Sequence, residues 1–104
     1  MPPFFMWYII LAKDKPSSLA ARIASRPAHL ARLDELIQSS RLKIAGPMPA
    51  VDSENPGEAG FVGSLLIVSF NTLDDARDWA NQDPYFAAGV YQSVEIYPFK
   101  PVLP

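Results

Sequence analysis

Phe4-Phe5-Met6-Trp7-Tyr8-Ile9-Ile10-Leu11-Ala12 decides the architecture. The run is almost entirely aromatic and β-branched, the composition of a strand. Alternation sends Phe5, Trp7, Ile9 and Leu11 to one face and Phe4, Met6, Tyr8 and Ile10 to the other. Both sets are apolar, so this strand expects cover on both sides. Nine residues are about half of what a helix needs to cross a bilayer. No Lys or Arg precedes the run and Lys13-Asp14-Lys15 follows it, unlike a secretion signal. The expectation is a soluble cytoplasmic protein.

Further strands and helices follow from local signals. Ser64 to Phe70 is again apolar on both faces, and Leu42 to Ala45 makes a short strand ending at Gly46-Pro47. Tyr91 to Phe99 is the last strand, followed by a Pro-rich tail. Pro16-Ser17-Ser18 opens a helix. Pro27 biases Arg26 away from helical angles and predicts a break there, with a restart running to about Ser39. The expected buried stripe of the restarted helix is Leu30, Leu33 and Ile37, which leaves His29 half exposed on its flank. Gly46 to Gly63 has no periodicity and reads as a stiff, shaped loop. Thr72-Leu73-Asp74-Asp75 caps a second helix, and Asp83-Pro84-Tyr85 opens a short helical turn closed by Gly89.

The order is strand, helix, strand, strand, helix, strand. It defines an α+β, ferredoxin-like βαββαβ fold, with both helices on one face of a four-stranded antiparallel sheet. Two helices cannot cover both faces of such a sheet, and its inner strands are apolar on both. A second copy meeting it sheet to sheet would supply the missing cover, giving a homodimer of the dimeric α/β-barrel kind.

Composition narrows the function. A chain of 104 residues is expected to be one domain, 1–104, with its core at about 5–99. A net charge of −2 argues against nucleic acid and against an anionic membrane surface. With one His and no Cys, thiolate chemistry is excluded and a built-in transition-metal site is disfavoured, so no metal and no cofactor are expected. No phosphate-binding loop, dinucleotide fingerprint or nucleophile elbow is present. His29 is therefore the one side chain whose ordinary pKa lies near neutrality, and proton transfer is the chemistry it offers.

Arg26-Pro27-Ala28-His29-Leu30, Ala45-Gly46-Pro47, Gly60-Phe61-Val62-Gly63-Ser64, Ala76-Arg77-Asp78-Trp79, Asp83-Pro84-Tyr85 and Ala88-Gly89-Val90 occur in that order, with Pro98-Phe99 at the close. This pattern resembles the YCII-related (YciI-like) proteins over nearly the whole chain. The resemblance implies membership of the dimeric α/β-barrel superfamily that contains muconolactone isomerase. It also implies a catalytic pair at His29 and Asp83, with no settled substrate.

Each candidate has a bland reading beside the functional one. His29 is a general base near a helix start, or a polar residue at a helix edge. Asp83 orients that base, or simply caps a helix, and one carboxylate can do both. Ser64 and Tyr85 could donate to an oxyanion and Arg26 could hold a substrate carboxylate; they also fit as strand residue, packed aromatic and solvated cation. The leading expectation is an acid–base enzyme of isomerase or lyase type acting on a small organic molecule. The alternative is a non-catalytic dimeric module that binds a small ligand or a protein. A minor third reading makes His29 a haem ligand, because haem chemistry occurs elsewhere in that superfamily.

Overall fold

Four antiparallel strands stand in the order β2-β3-β1-β4 in the computed structural model, which describes residues 6–104. They are β1 (Met6–Asp14), β2 (Leu42–Pro49), β3 (Phe61–Phe70) and β4 (Tyr91–Phe99). Helix α1 (Leu19–Gln38) follows β1, and α2 (Leu73–Asn81) with the single turn α3 (Pro84–Ala87) follows β3. This is the expected ferredoxin-like arrangement. Phe4 and Phe5, assigned to the first strand from sequence, lie outside the described residues.

The alternation of β1 and β3 sorts their side chains as their composition demands. Tyr8, Ile10, Leu66, Val68 and Phe70 point to the helices, where they meet Leu33 and Leu36 of α1 and Ala76 and Ala80 of α2. The opposite face carries Trp7, Ile9, Leu11, Leu65 and Ile67, all half-buried, with Ile9 paired to Ile67 and Leu11 to Leu65. Tyr97 opposite Ile9 and Ile44 opposite Ile67 extend this face, and they are 48% and 60% exposed. In the single chain both helices leave it open.

Three local expectations need correction. Helix α1 does not break at Arg26 but runs unbroken through Pro27. Pro27 and Ile23 both lie on the exposed side of α1, so water can reach the Ile23 carbonyl that Pro27 leaves without a donor. The buried stripe is turned from the expected one: His29, Leu33 and Leu36 are buried, whereas Leu30 and Ile37 are 40% and 57% exposed. The long loop is also shorter than its composition suggested. Strand β2 continues to Pro49 and β3 begins at Phe61, leaving a connection that contains one 3₁₀ turn at Gly57–Ala59. Pro47 and Pro49 are accommodated because β2 is an edge strand.

The second helix starts as expected, with the Asp75 N–H donating to Thr72 Oγ1 at 3.1 Å. Gly63 marks a tight approach of β3 to β1: a Cβ there would stand 2.0 Å from the Ala12 carbonyl oxygen. Among the described residues, no helix is long and apolar enough to cross a membrane.

Candidate active site

Asp83 is the N-cap of α3, its Oδ1 accepting the Tyr85 N–H at 2.9 Å. The same carboxylate reaches His29 in the middle of α1, with Nδ1 lying 2.8 Å from Oδ2 and 3.0 Å from Oδ1. Both residues are buried, at 6% and 3% exposure. His29 is thus more enclosed than expected. Because α1 begins at Leu19, His29 is also too far along the helix for the positive end of the dipole to act on it strongly.

Two further groups fix this pair. The Tyr85 ring stacks on the imidazole, with centroids 4.2 Å apart and planes 13° from parallel. Arg32 brings Nη1 to 3.8 Å from Asp83 Oδ2 while its Nη2 donates to the Trp79 carbonyl at 2.9 Å. Burial lowers the Arg32 pKa, and the charges of Asp83 and Glu35 oppose that effect. The Tyr85 phenol is pushed upward, chiefly by burial.

With Nδ1 engaged by Asp83, Nε2 is the nitrogen left for a bound molecule. His29 lines a cleft of about 360 Å³ between α1, β2 and β3. Ala45-Gly46-Pro47 of β2 forms one wall, Phe61, Ser64 and Leu66 of β3 form the floor, and Tyr85 closes one side. Arg26 lies on this lining too, on the exposed side of α1. Four of the five residues singled out from sequence, Arg26, His29, Ser64 and Tyr85, line this cleft, and Asp83 joins them through its contact with His29 without reaching the lining. The Gly46–Gly63 segment, expected as a loop, is not one at this point, since Gly46, Pro47 and Phe61 belong to strands.

Sequence reading missed one pair. Arg22 is only 5% exposed and donates to Asp14 from Nε at 2.8 Å and from Nη2 at 2.9 Å. Nη2 also donates to Ser64 Oγ at 2.9 Å. The guanidinium lies 4.9 Å from the Tyr85 centroid and 5.5 Å from that of Phe61. Burial alone would lower its pKa, but the hydrogen bond and charge of Asp14 outweigh it and the pKa rises. The available signal was spacing: Arg22, Arg26 and His29 recur at i, i+4 and i+7 on one helix face.

The ferredoxin-like sheet, with a buried histidine–aspartate pair beside a cleft, places the chain among small α+β domains of that fold. Within that class the chain belongs to the YCII-related domain family, whose model matches residues 6–100. Protein YciI of Escherichia coli is 57% identical over 97 residues, spanning 93% of this chain and 99% of that one. A protein of Emericella nidulans, named as derivative of benzaldehyde biosynthesis cluster protein C, is 33% identical over 90 residues, 86% of this chain and 91% of that one. Among solved structures, 5-chloro-2-hydroxyhydroquinone dehydrochlorinase from Burkholderia phenoliruptrix, in complex with 2,5-dihydroxybenzoquinone, is similar with a TM-score of 0.79. Its identity is 28%, and the match covers 91% of this chain and 94% of that one.

Proposed function

We propose that this protein is an acid–base enzyme of lyase or isomerase type, acting on a small organic molecule without a bound cofactor. The observation that carries the reading is the buried contact between His29 Nδ1 and Asp83 at 2.8 Å, on the wall of a cleft. A proton on Nδ1 donated to the carboxylate leaves the Nε2 lone pair free to act as base.

Nε2 takes a proton from a carbon or hydroxyl of the substrate, and the electron pair left behind forms a new π bond. In an elimination, the leaving group departs from the adjacent atom with its own electron pair. In an isomerisation, the proton returns to a different atom. The imidazolium formed on the way lies against Asp83, which stabilises it. Tyr85 holds the ring flat, and the apolar lining limits water. Arg26 suits the mouth of the cleft, where an exposed guanidinium can meet a substrate anion. The name of the Burkholderia relative, a dehydrochlorinase, describes an elimination, and its bound quinone is a ring of the size this cleft can hold.

The working form in this reading is a homodimer. The open sheet face presents Trp7, Ile9, Leu11, Leu65 and Ile67 in one layer, and a second copy offers a matching apolar surface.

The test is turnover of 5-chloro-2-hydroxyhydroquinone and related chlorinated phenols, followed by chloride release and absorbance. His29→Ala should lower the rate by about 10²–10⁴-fold. Asp83→Asn should also lower it by more than about tenfold with the fold retained. Turnover that survives both substitutions removes the pair from the mechanism.

A further inference from the structure

The Arg22–Asp14 pair adds something that the base and its carboxylate do not provide. Asp14 occupies Nε and Nη2 of the guanidinium, and Ser64 also accepts from Nη2. Among the described residues, no hydrogen bond or ion pair uses Nη1. A buried arginine with one unused nitrogen, on the lining of a cleft, is a fixed donor awaiting an acceptor. Ser64 Oγ accepts from Arg22, so its own proton remains to be donated. The buried Tyr91 hydroxyl stands beside Ser64 without a hydrogen-bond partner of its own.

We propose that Arg22 Nη1 and the Ser64 hydroxyl form an oxyanion-binding corner of the cleft, with Asp14 as the positioning residue that holds Arg22 in place. The substrate class follows: a carbonyl compound or hydroxylated ring whose negative charge settles on oxygen once a proton is removed. This rests on the reading of His29 as the base. The proton leaves a substrate carbon or hydroxyl for His29 Nε2. Where it leaves a carbon, the C–H pair becomes a C=C bond and the carbonyl π pair moves to oxygen, where Arg22 and Ser64 meet it. Collapse of that oxyanion then expels a neighbouring leaving group with its electrons, or returns the proton elsewhere, so no oxidant or reductant is required. Donors already in place before the charge develops are the arrangement that lowers such barriers most. Exposed Arg26 lacks this fixed setting and serves at most to attract the anion.

The probe is 2,5-dihydroxybenzoquinone, a coloured ring acid ionised at neutral pH, with hydroquinone as the neutral control of similar size. Binding is measured by absorbance titration and calorimetry. Arg22→Gln should weaken the quinone by about 10- to 100-fold and leave hydroquinone unchanged, as expected for a lost charged hydrogen bond. That variant leaves Asp14 buried and unpaired, so Asp14→Asn combined with Arg22→Gln gives a neutral pair with the fold checked by circular dichroism. Ser64→Ala, a small change, should weaken the quinone by roughly fivefold. Folded variants that bind the quinone like the parent protein overturn the proposal, as does a parent protein that binds quinone and hydroquinone equally. The base is judged separately by proton transfer, since loss of turnover in His29→Gln does not depend on Arg22 holding the anion.

Discussion

Replacing Asp83 by alanine removes two interactions through one carboxylate. Oδ1 accepts the Tyr85 N–H at 2.9 Å, and the carboxylate meets His29 Nδ1 at 2.8 Å in a site where Asp83 is 3% exposed. Loss of a helix cap costs about 1 kcal/mol. Loss of a buried hydrogen bond to a charged group costs about 1.5–3 kcal/mol, because the imidazole N–H has no water to turn to. Together these give about 2.5–4 kcal/mol, a fall in Tm of roughly 10–25 °C for a domain of this size. Asparagine caps as well as aspartate and keeps one acceptor, so Asp83→Asn should lose only about 1 kcal/mol. Urea and thermal unfolding of both variants, at one protein concentration, measure the difference. A double-mutant cycle with His29→Ala should yield a coupling of about 1 kcal/mol or more. Equal losses for alanine and asparagine, or a coupling near zero, would show that the contact does not exist in solution.

Other perturbations test other parts of the structure. Burial holds the Tyr91 phenol well above its ordinary pKa, with Ser64 only partly opposing it. Unfolded tyrosine ionises near pH 10, so above that pH the unfolded chain binds fewer protons and stability falls by about 1.4 kcal/mol per pH unit for each such group. Tyr91→Phe should remove one tyrosine's share of that fall, and urea midpoints between pH 9 and pH 11 will show whether it does. Gly63→Ala places a methyl group 2.0 Å from the Ala12 carbonyl and 2.8 Å from Met48 Cε. A loss of about 1–3 kcal/mol is expected from that overpacking, and an unchanged urea midpoint contradicts the register of β1 and β3. Ile67→Glu puts a charge in the open sheet face opposite Ile9 and Ile44. If the proposed homodimer uses this face, light scattering should report a dimer for the parent chain and a monomer for the variant; a dimer that persists assigns the interface elsewhere.

The parts of the fold that were legible in the sequence have one-residue causes. Thr72 and Asp83 are caps whose chemistry is local, and Tyr91–Phe99 is bounded by glycine and proline signals. The meeting of His29 with Asp83 was legible only through the family pattern, since nothing local links residues 54 apart. Helix α1 misled for two physical reasons. Pro27 is tolerated inside α1 on its exposed side, and exposure is a tertiary property. The α1 stripe was also ambiguous, because Ile23, Leu30 and Ile37 form a second apolar line at heptad spacing beside His29, Leu33 and Leu36. Arg22 escaped notice because an arginine on an amphipathic helix reads as solvated. Its burial depends on Asp14, at the far end of another element.

The site is assembled from Asp14 at the end of β1, Arg22 and His29 on α1, Ser64 on β3 and Asp83 before α3. No single helix or strand carries more than two of these residues, and the strands that hold them pair across long separations in sequence. Ligand capture at the proposed site would therefore draw on the cooperativity of the entire domain rather than on a local hinge. A compound present at a hundred times its Kd should raise global stability by about 2.7 kcal/mol. A simple melting-temperature survey of ring acids would thus report on the chemistry of this cleft before any reaction is known.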